Sequence, residues 1–541
     1  MYVRTISRKN RDGSKVTYVQ LAHNVWDQKA QCAKAEVVYT FGRTDSLDMD
    51  ALKRLAKSIC RFLSPEDALS VQAGGALQFV KSAPMGGAYL LRALWEKIGI
   101  PGLFAKTLKD RNFSSPIEWA VFAMVANRAL APYSKRGVEE WVREDVALSN
   151  PEPIALHHLY RAMDVLLEQR ELIHKEVFFA VADLLNLEVD LLFFDTTSTY
   201  LETEDEGELK KYGHSKDHRN DLPQIVIGLA VTKEGIPVKC WVLPGNTSDM
   251  KTVEKVKDDL RGWHLSRLVW VMDRGMSSKE NRVILQKAGG HYILGEKLRD
   301  DAAIHEEVLS RKGRYRKVRE NLEVKEVTVG EGERRRRFVI VYNPDEAERD
   351  KIQREAILKR TQEAIDALGP EHTKLVCELL THKTMGRYLR QQKNGALKID
   401  RAKAKKEEHL DGKYILSTSD DSLSPEDVAL GYKQLMEVER AFRTMKTTLD
   451  LRPVYHRKDE RITSHVFLCF LALLLVRTAE RKTGLTWDRI RAIMERIHLG
   501  EFALKDGHIH QTTELTSEQL NILKKLSISP PIKVRKIDLI P

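Results

Sequence analysis

The chain has 541 residues, too many for one small core, so two to four structural units are expected. An apolar share of 42% and a charged share of 31% are ordinary for a globular protein. The net charge of +11 favours a polyanionic partner without deciding for one at this length, and five scattered cysteines with no Cys-x-x-Cys pair exclude a disulfide framework and a zinc ribbon.

Met1-Tyr2-Val3-Arg4 lacks the apolar core of a signal peptide. Residues 1–85 read as a small mixed α/β unit. Thr17 to Leu21 and Ala35 to Thr40 alternate as strands, a helix follows from Asp48, and Gly74-Gly75 and Gly86-Gly87 punctuate the chain. Residues 86–187 carry helical spacing at Ala88 to Ile98, Pro116 to Leu130, Lys135 to Asp145 and His158 to Leu185. Their cations (Arg111, Arg128, Lys135, Arg136, Arg143, Arg161) make a helical DNA-binding region one reading and an ordinary helical cap the other.

Near Val189 the pattern turns to strands. Asp190 to Leu201, Gln224 to Thr232 and Ile236 to Leu243 form three, the last two joined by a hairpin turn at Thr232-Lys233-Glu234-Gly235. A helix from Asp249 to Leu260 starts behind Ser248 as N-cap. A strand ending at Asp273, a helix from Ser278 to Lys287 and a strand at His291 to Glu296 follow. Asp195 closes the apolar run Leu191 to Phe194, and Asp273 closes Leu268 to Met272. Residues 297–410 leave this rhythm and read as a basic insertion domain, with six cations between Arg311 and Arg319 and the run Arg334 to Arg337. Strand character returns at Lys413 to Thr418, opening a segment, 411–490, that goes back to the core sheet.

Ser424-Pro425-Glu426-Asp427 is a helix start, with Ser as N-cap and Pro at N1. The pattern predicts one helix to Lys446, with Tyr432, Glu439 and Lys446 seven residues apart on a shared face and Arg440 and Arg443 nearby. Val466 to Val476 is too short to span a bilayer and reads as a buried helix, so no membrane association and a cytoplasmic (nucleoid-associated) location are expected. Residues 491–541 form a C-terminal tail of unassigned role.

The spacing Tyr-x2-Arg-x3-Glu-x6-Lys, in register at Tyr432, Glu439 and Lys446, resembles the signature of bacterial insertion-sequence DDE transposases of the group named after insertion sequence four. Leu435 stands where that family has Arg. Asp195-Thr196-Thr197-Ser198 is similar to the first-aspartate motif and Val269 to Gly275 to the second; Gly245 to Asp249 resembles the segment between them. Ser215 to Arg219, with Asp221, Leu222 and Gln224, is similar to a motif of a long-chain subgroup. The resemblance runs from about Val189 to Thr478. It implies an α/β fold: a ribonuclease-H-like catalytic core in two parts (188–296 and 411–490), a β-rich insertion domain and a helical N-terminal DNA-binding region.

By that resemblance Asp195, Asp273 and Glu439 are catalytic and hold two Mg²⁺ ions, with Mn²⁺ able to substitute. Tyr432, Arg440, Arg443, Lys446, Lys216, Arg219 and Arg274 are the expected DNA contacts. The implied partners are double-stranded DNA, as transposon ends and target, and a second copy of the chain in a synaptic complex. A metal-dependent nuclease without strand transfer and a non-catalytic DNA-binding derivative are the alternatives.

Overall fold

A computed structural model describes residues 1–10, 15–28, 31–60, 62, 78–109, 111, 116–148, 154–187, 191–263, 268–298, 302–332, 335–368, 373–504 and 507–539. Gly74, Gly75, Asp190 and Arg334, named above, lie outside them. The chain divides into two compact units: residues 1–82, 500–512 and 532–541, and residues 83–499 with 513–531.

In the first unit, strands Tyr2–Lys9, Lys15–Asp27 and Cys32–Arg43 form an antiparallel sheet, followed by the helix Met49–Cys60. The sequence pattern finds the second and third strands but not the first. Gly507–Thr512 and Val534–Leu539, within the unassigned tail, pair antiparallel in the same unit.

The second unit is built on a nine-stranded sheet. Its strands in chain order are β1 (Leu191–Tyr200), β2 (Gln224–Thr232), β3 (Pro237–Pro244), β4 (Val269–Met272), β5 (His291–Gly295), β6 (Arg316–Arg319), β7 (Leu322–Val329), β8 (Arg336–Tyr342) and β9 (Lys413–Thr418). Across the sheet they run β6-β7-β8-β9-β5-β4-β1-β2-β3. The β1-β2-β3 part is antiparallel, while β1, β4 and β5 are parallel neighbours. The segment expected as an insertion contributes β6, β7 and β8 to this sheet, and β8 pairs antiparallel with β9.

Alternation along the strands separates two cores. Leu192, Phe194, Trp270 and Met272 face one, where α1 (Asp249–Arg261) adds Val253, Val256 and Leu260. Phe193, Val269 and Val271 face the other. That larger core holds the helices of residues 86–185, α2 (Pro425–Lys433), α3 (Met436–Thr447) and α4 (Asp459–Thr483). A one-residue slip of β1 would exchange Phe193 and Phe194 between cores, so the register is strongly fixed. α4 is long and apolar enough to cross a membrane, but 94% of its most apolar window is buried in this core.

Several helices differ from the sequence pattern. The long helix expected from Ser424 to Lys446 is broken into α2 and α3. At the break, the N–H groups of Gln434, Leu435, Glu437 and Val438 each bond three residues back, a tighter winding than the α-helix that turns the chain there. His158 to Leu185 likewise becomes two helices, Leu156–Glu168 and Arg170–Leu185. In the helical region Arg128 and Lys135 are buried, Arg111 pairs with Glu168 and Arg143 with Glu144.

Phe194 is fully buried. Replacing it by Ala should cost about 3–5 kcal/mol through lost transfer energy and a residual cavity. Denaturant unfolding of the purified chain measures this; a loss below about 1 kcal/mol would contradict the two-core register.

Candidate active site

The pairing of β1 with β4 ends at Phe194↔Met272, so the next residue on each strand is an aspartate at the same level. By alternation both belong to the face of Phe193 and Val271, the face covered by α2 and α3. Asp195, Asp273 and Glu439 all line one cavity of about 900 Å³, together with Arg274, Tyr432 and Leu435. Three acids separated by 78 and 166 residues in the chain thus share one space.

Each is held differently. Asp195 accepts the Thr196 N–H at 2.7 Å and is partly exposed. Burial pushes its carboxyl up to about 6; Asp249 and Asp273 add to that, and Lys216 and the Thr196 N–H oppose it. Asp273 is the N-cap of a short turn, Arg274–Met276. Its Oδ1 accepts the Tyr432 hydroxyl at 2.9 Å. Burial and then Asp273 itself raise the Tyr432 phenol, so it stays a donor. Gly295 makes this contact possible, because a Cβ there would lie 2.3 Å from Tyr432 Oη. Glu439 is exposed in the first turn of α3, where the helix dipole favours an acid. Among the described residues it has no hydrogen bond or ion pair.

The expected DNA contacts divide into two groups. Arg274 lines the cavity, and Arg443 is exposed one turn beyond Glu439. The others are engaged within the protein. Arg440 pairs with Glu437, and Arg219 grips Asp221 and lies over the Tyr200 ring. Lys216 Nζ donates to Thr196 O at 2.7 Å and sits 3.6 Å from Asp249. Lys446 does not join Tyr432 on a common face, because the helix breaks between them. It donates to Ser198 O and Asp217 Oδ1, and burial lowers its pKa despite Asp217. Leu435 is in the core at the wall of the cavity. Of the described residues of the basic run, Arg336 and Arg337 open β8, where Arg336 lies near Glu296 and Arg337 pairs with Glu326, and Arg335 just before them pairs with Asp421. The pattern of the sequence missed Gly295, the Tyr432–Asp273 bond and the cavity lysines Lys413 and Lys433.

The three acids offer a donor set for a divalent ion. Among the described residues, no three or more acids, histidines or cysteines gather closely enough to cage one. Mg²⁺ does not need such a cage, since it binds through one or two carboxylates and keeps waters or phosphate oxygens as its other ligands. Oxygen-only acids, an Asp195 carboxyl whose charge is disfavoured by partial burial and then by two neighbouring acids, and a Glu439 with no partner among the described residues fit that requirement.

Residues 190–475 match the family model described as "Transposase DDE domain", more than half of the chain. The chain belongs to the DDE-domain transposases. Residues 3–68 of this transposase match "IS1634 family transposase, N-terminal domain", and the expected group named after insertion sequence four is not among the matches. A search of curated proteins finds no significant match. Among solved structures the chain is similar to a piggyBac transposase in a synaptic complex with hairpin DNA, with 10% identity, a TM-score of 0.35 and coverage of 77% of this chain and 82% of that one.

Two outcomes follow from the geometry. The Asp195 value lies above the ~3.9 of an unfolded chain, so the folded protein holds the extra proton between about pH 4 and 6. The associated stability is full below pH 4 and lost as pH rises through 6. In metal-free buffer Asp195→Asn should therefore melt higher than the wild type at pH 8, with the gap closing toward pH 4. Equal melting at pH 8 would count against the buried charge. Gly295→Ala should displace the Tyr432 ring and cost about 1–3 kcal/mol by overpacking; a crystal structure retaining the Tyr432–Asp273 bond would contradict it.

Proposed function

We propose that this transposase binds the terminal repeats of its own insertion sequence, cleaves there by metal-assisted phosphoryl transfer, and joins the 3′ ends to target DNA. The observation that carries the reading is the meeting of Asp195, Asp273 and Glu439 on one cavity. The order β3-β2-β1-β4-β5, antiparallel then parallel, supports a ribonuclease-H-like core as the platform.

In this reading Asp195, Asp273 and Glu439 would hold two Mg²⁺ ions, with Mn²⁺ able to replace them. When bound, the ions would neutralise the scissile phosphate and make water or a DNA 3′-hydroxyl a competent nucleophile. The protein's own part is placement. The sheet fixes the two aspartates, α3 brings the glutamate from the side, and the Tyr432 hydroxyl orients Asp273. Arg274 and Lys433 on the cavity wall, with Arg443 on α3, would hold flanking phosphates for in-line attack. The partners are transposon-end and target DNA, with two copies of the chain pairing the ends.

Asp195→Ala, Asp273→Ala and Glu439→Ala should each reduce cleavage of labelled end DNA by more than about a thousandfold, with end binding in gel-shift assays retained. Cleavage near the wild-type rate in any of the three would refute the assignment. Joining of a pre-cut end to plasmid DNA separates a transposase from a nuclease that only hydrolyses.

A further inference from the structure

A second cavity, of about 340 Å³, is lined by residues that include Thr196, Lys216 and Asp249. Asp249 opens α1 behind Ser248, at the end of the Gly245 to Asp249 segment, for which the reaction above has no use. Beyond Phe194 the pairing with β4 stops, so Asp195 is flanked in the sheet by β2 alone. Its orientation there depends on what holds Thr196.

All the polar groups of Thr196 are engaged. Its N–H donates to Asp195 Oδ1 at 2.7 Å. Its carbonyl accepts Lys216 Nζ at 2.7 Å. Its hydroxyl donates to Asp249 Oδ1 and lies 3.1 Å from Lys216 Nζ. Lys216 is itself placed by its backbone N–H on Ser198 Oγ at 2.7 Å and by Asp249 Oδ2 at 3.6 Å. Asp249 therefore grips both the residue that follows Asp195 and the cation that holds that residue's carbonyl. A Cβ on Gly275, two residues past Asp273, would sit 3.5 Å from Asp249 Oδ2, so this acid stands between the Asp195 strand and the turn that follows Asp273.

We infer that Asp249, acting through Thr196 and Lys216, is a positioning residue that fixes the Asp195 carboxylate for cation binding. This rests on the reading of the acid-lined cavity as an ion site. Removal of the Asp249 carboxylate or the Thr196 hydroxyl frees the 195–196 peptide to turn and weakens the cation site, without removing a ligand. Outer partners of this kind change metal affinity by about 10–100-fold.

The test is Mn²⁺ titration of the full-length, DNA-free protein, followed by thermal melting. Thr196→Val, which keeps the shape and loses the hydroxyl, and Asp249→Ala should each need about tenfold more Mn²⁺ for the half-maximal rise. Thr196→Ser should restore the wild-type midpoint. If Asp249→Ala does not fold, the Val and Ser variants at position 196 decide the matter alone. Asp195→Ala should lose the rise altogether. Wild-type midpoints in Thr196→Val and in any folded Asp249→Ala, with the response lost in Asp195→Ala, would overturn the positioning role while leaving the ion site standing. A full response in Asp195→Ala would overturn the ion site and the inference with it.

Discussion

The parallel pairing of β1 with β4 is the constraint on which the site depends. Its last rung joins Phe194 to Met272, and both side chains are buried in the smaller core. Because side chains alternate, that burial commits Asp195 and Asp273 to the opposite face, at equal height on adjacent strands. Adjacent strands lie about 4.8 Å apart, so the two acids are brought close by the backbone ladder itself. Glu439 is different. It arrives on a helix whose Val438, Ala441 and Met445 are anchored in the larger core, and its own side chain remains exposed.

Close acids are electrostatically costly, and the surrounding residues limit that cost unevenly. Asp273 receives a hydrogen bond from a phenol that burial keeps protonated. Asp195 receives a backbone N–H and feels Lys216, yet burial still disfavours its charge. The Lys446–Asp217–Arg452 cluster lies apart from the cavity wall and ties α3 and the following loop to β1 through Ser198. Arg452 and Lys446 thus act as framework, whereas Arg443, on the same helix as Lys446, is exposed.

Much of this was legible in the sequence. Apolar runs ending in Asp195 and Asp273 mark strands buried on both faces, and those strands are present. Glu439 stands out only because its spacing to Tyr432 and Lys446 resembles a family signature; an acid among cations on a helix otherwise reads as a surface salt-bridge ladder. What spacing could not convey was direction. Gly431 and Leu435 leave the helical pattern nearly unbroken, yet the tight turn around Gln434 reorients α3 relative to α2. Tyr432 therefore reaches Asp273 from a separate helix, and Lys446 reaches Ser198. Gly295 gave no local signal, because its smallness is required by a ring 137 residues away in the chain (432 − 295). Leu322 to Gly330 and Arg335 to Tyr342 alternate as strands in the sequence, yet their partners, β8 on β9 above all, are set only by the tertiary fold.

That β8–β9 ladder bears on any attempt to trim the protein to a minimal core. Excision of residues 297–410 would strip β9 of its outer neighbour and leave a row of unsatisfied backbone donors and acceptors beside β5. Ile415 and Leu416, now enclosed, would sit on that raw edge, an invitation to strand-to-strand aggregation. The intervening stretch is thus a sealing flank of the nine-stranded sheet.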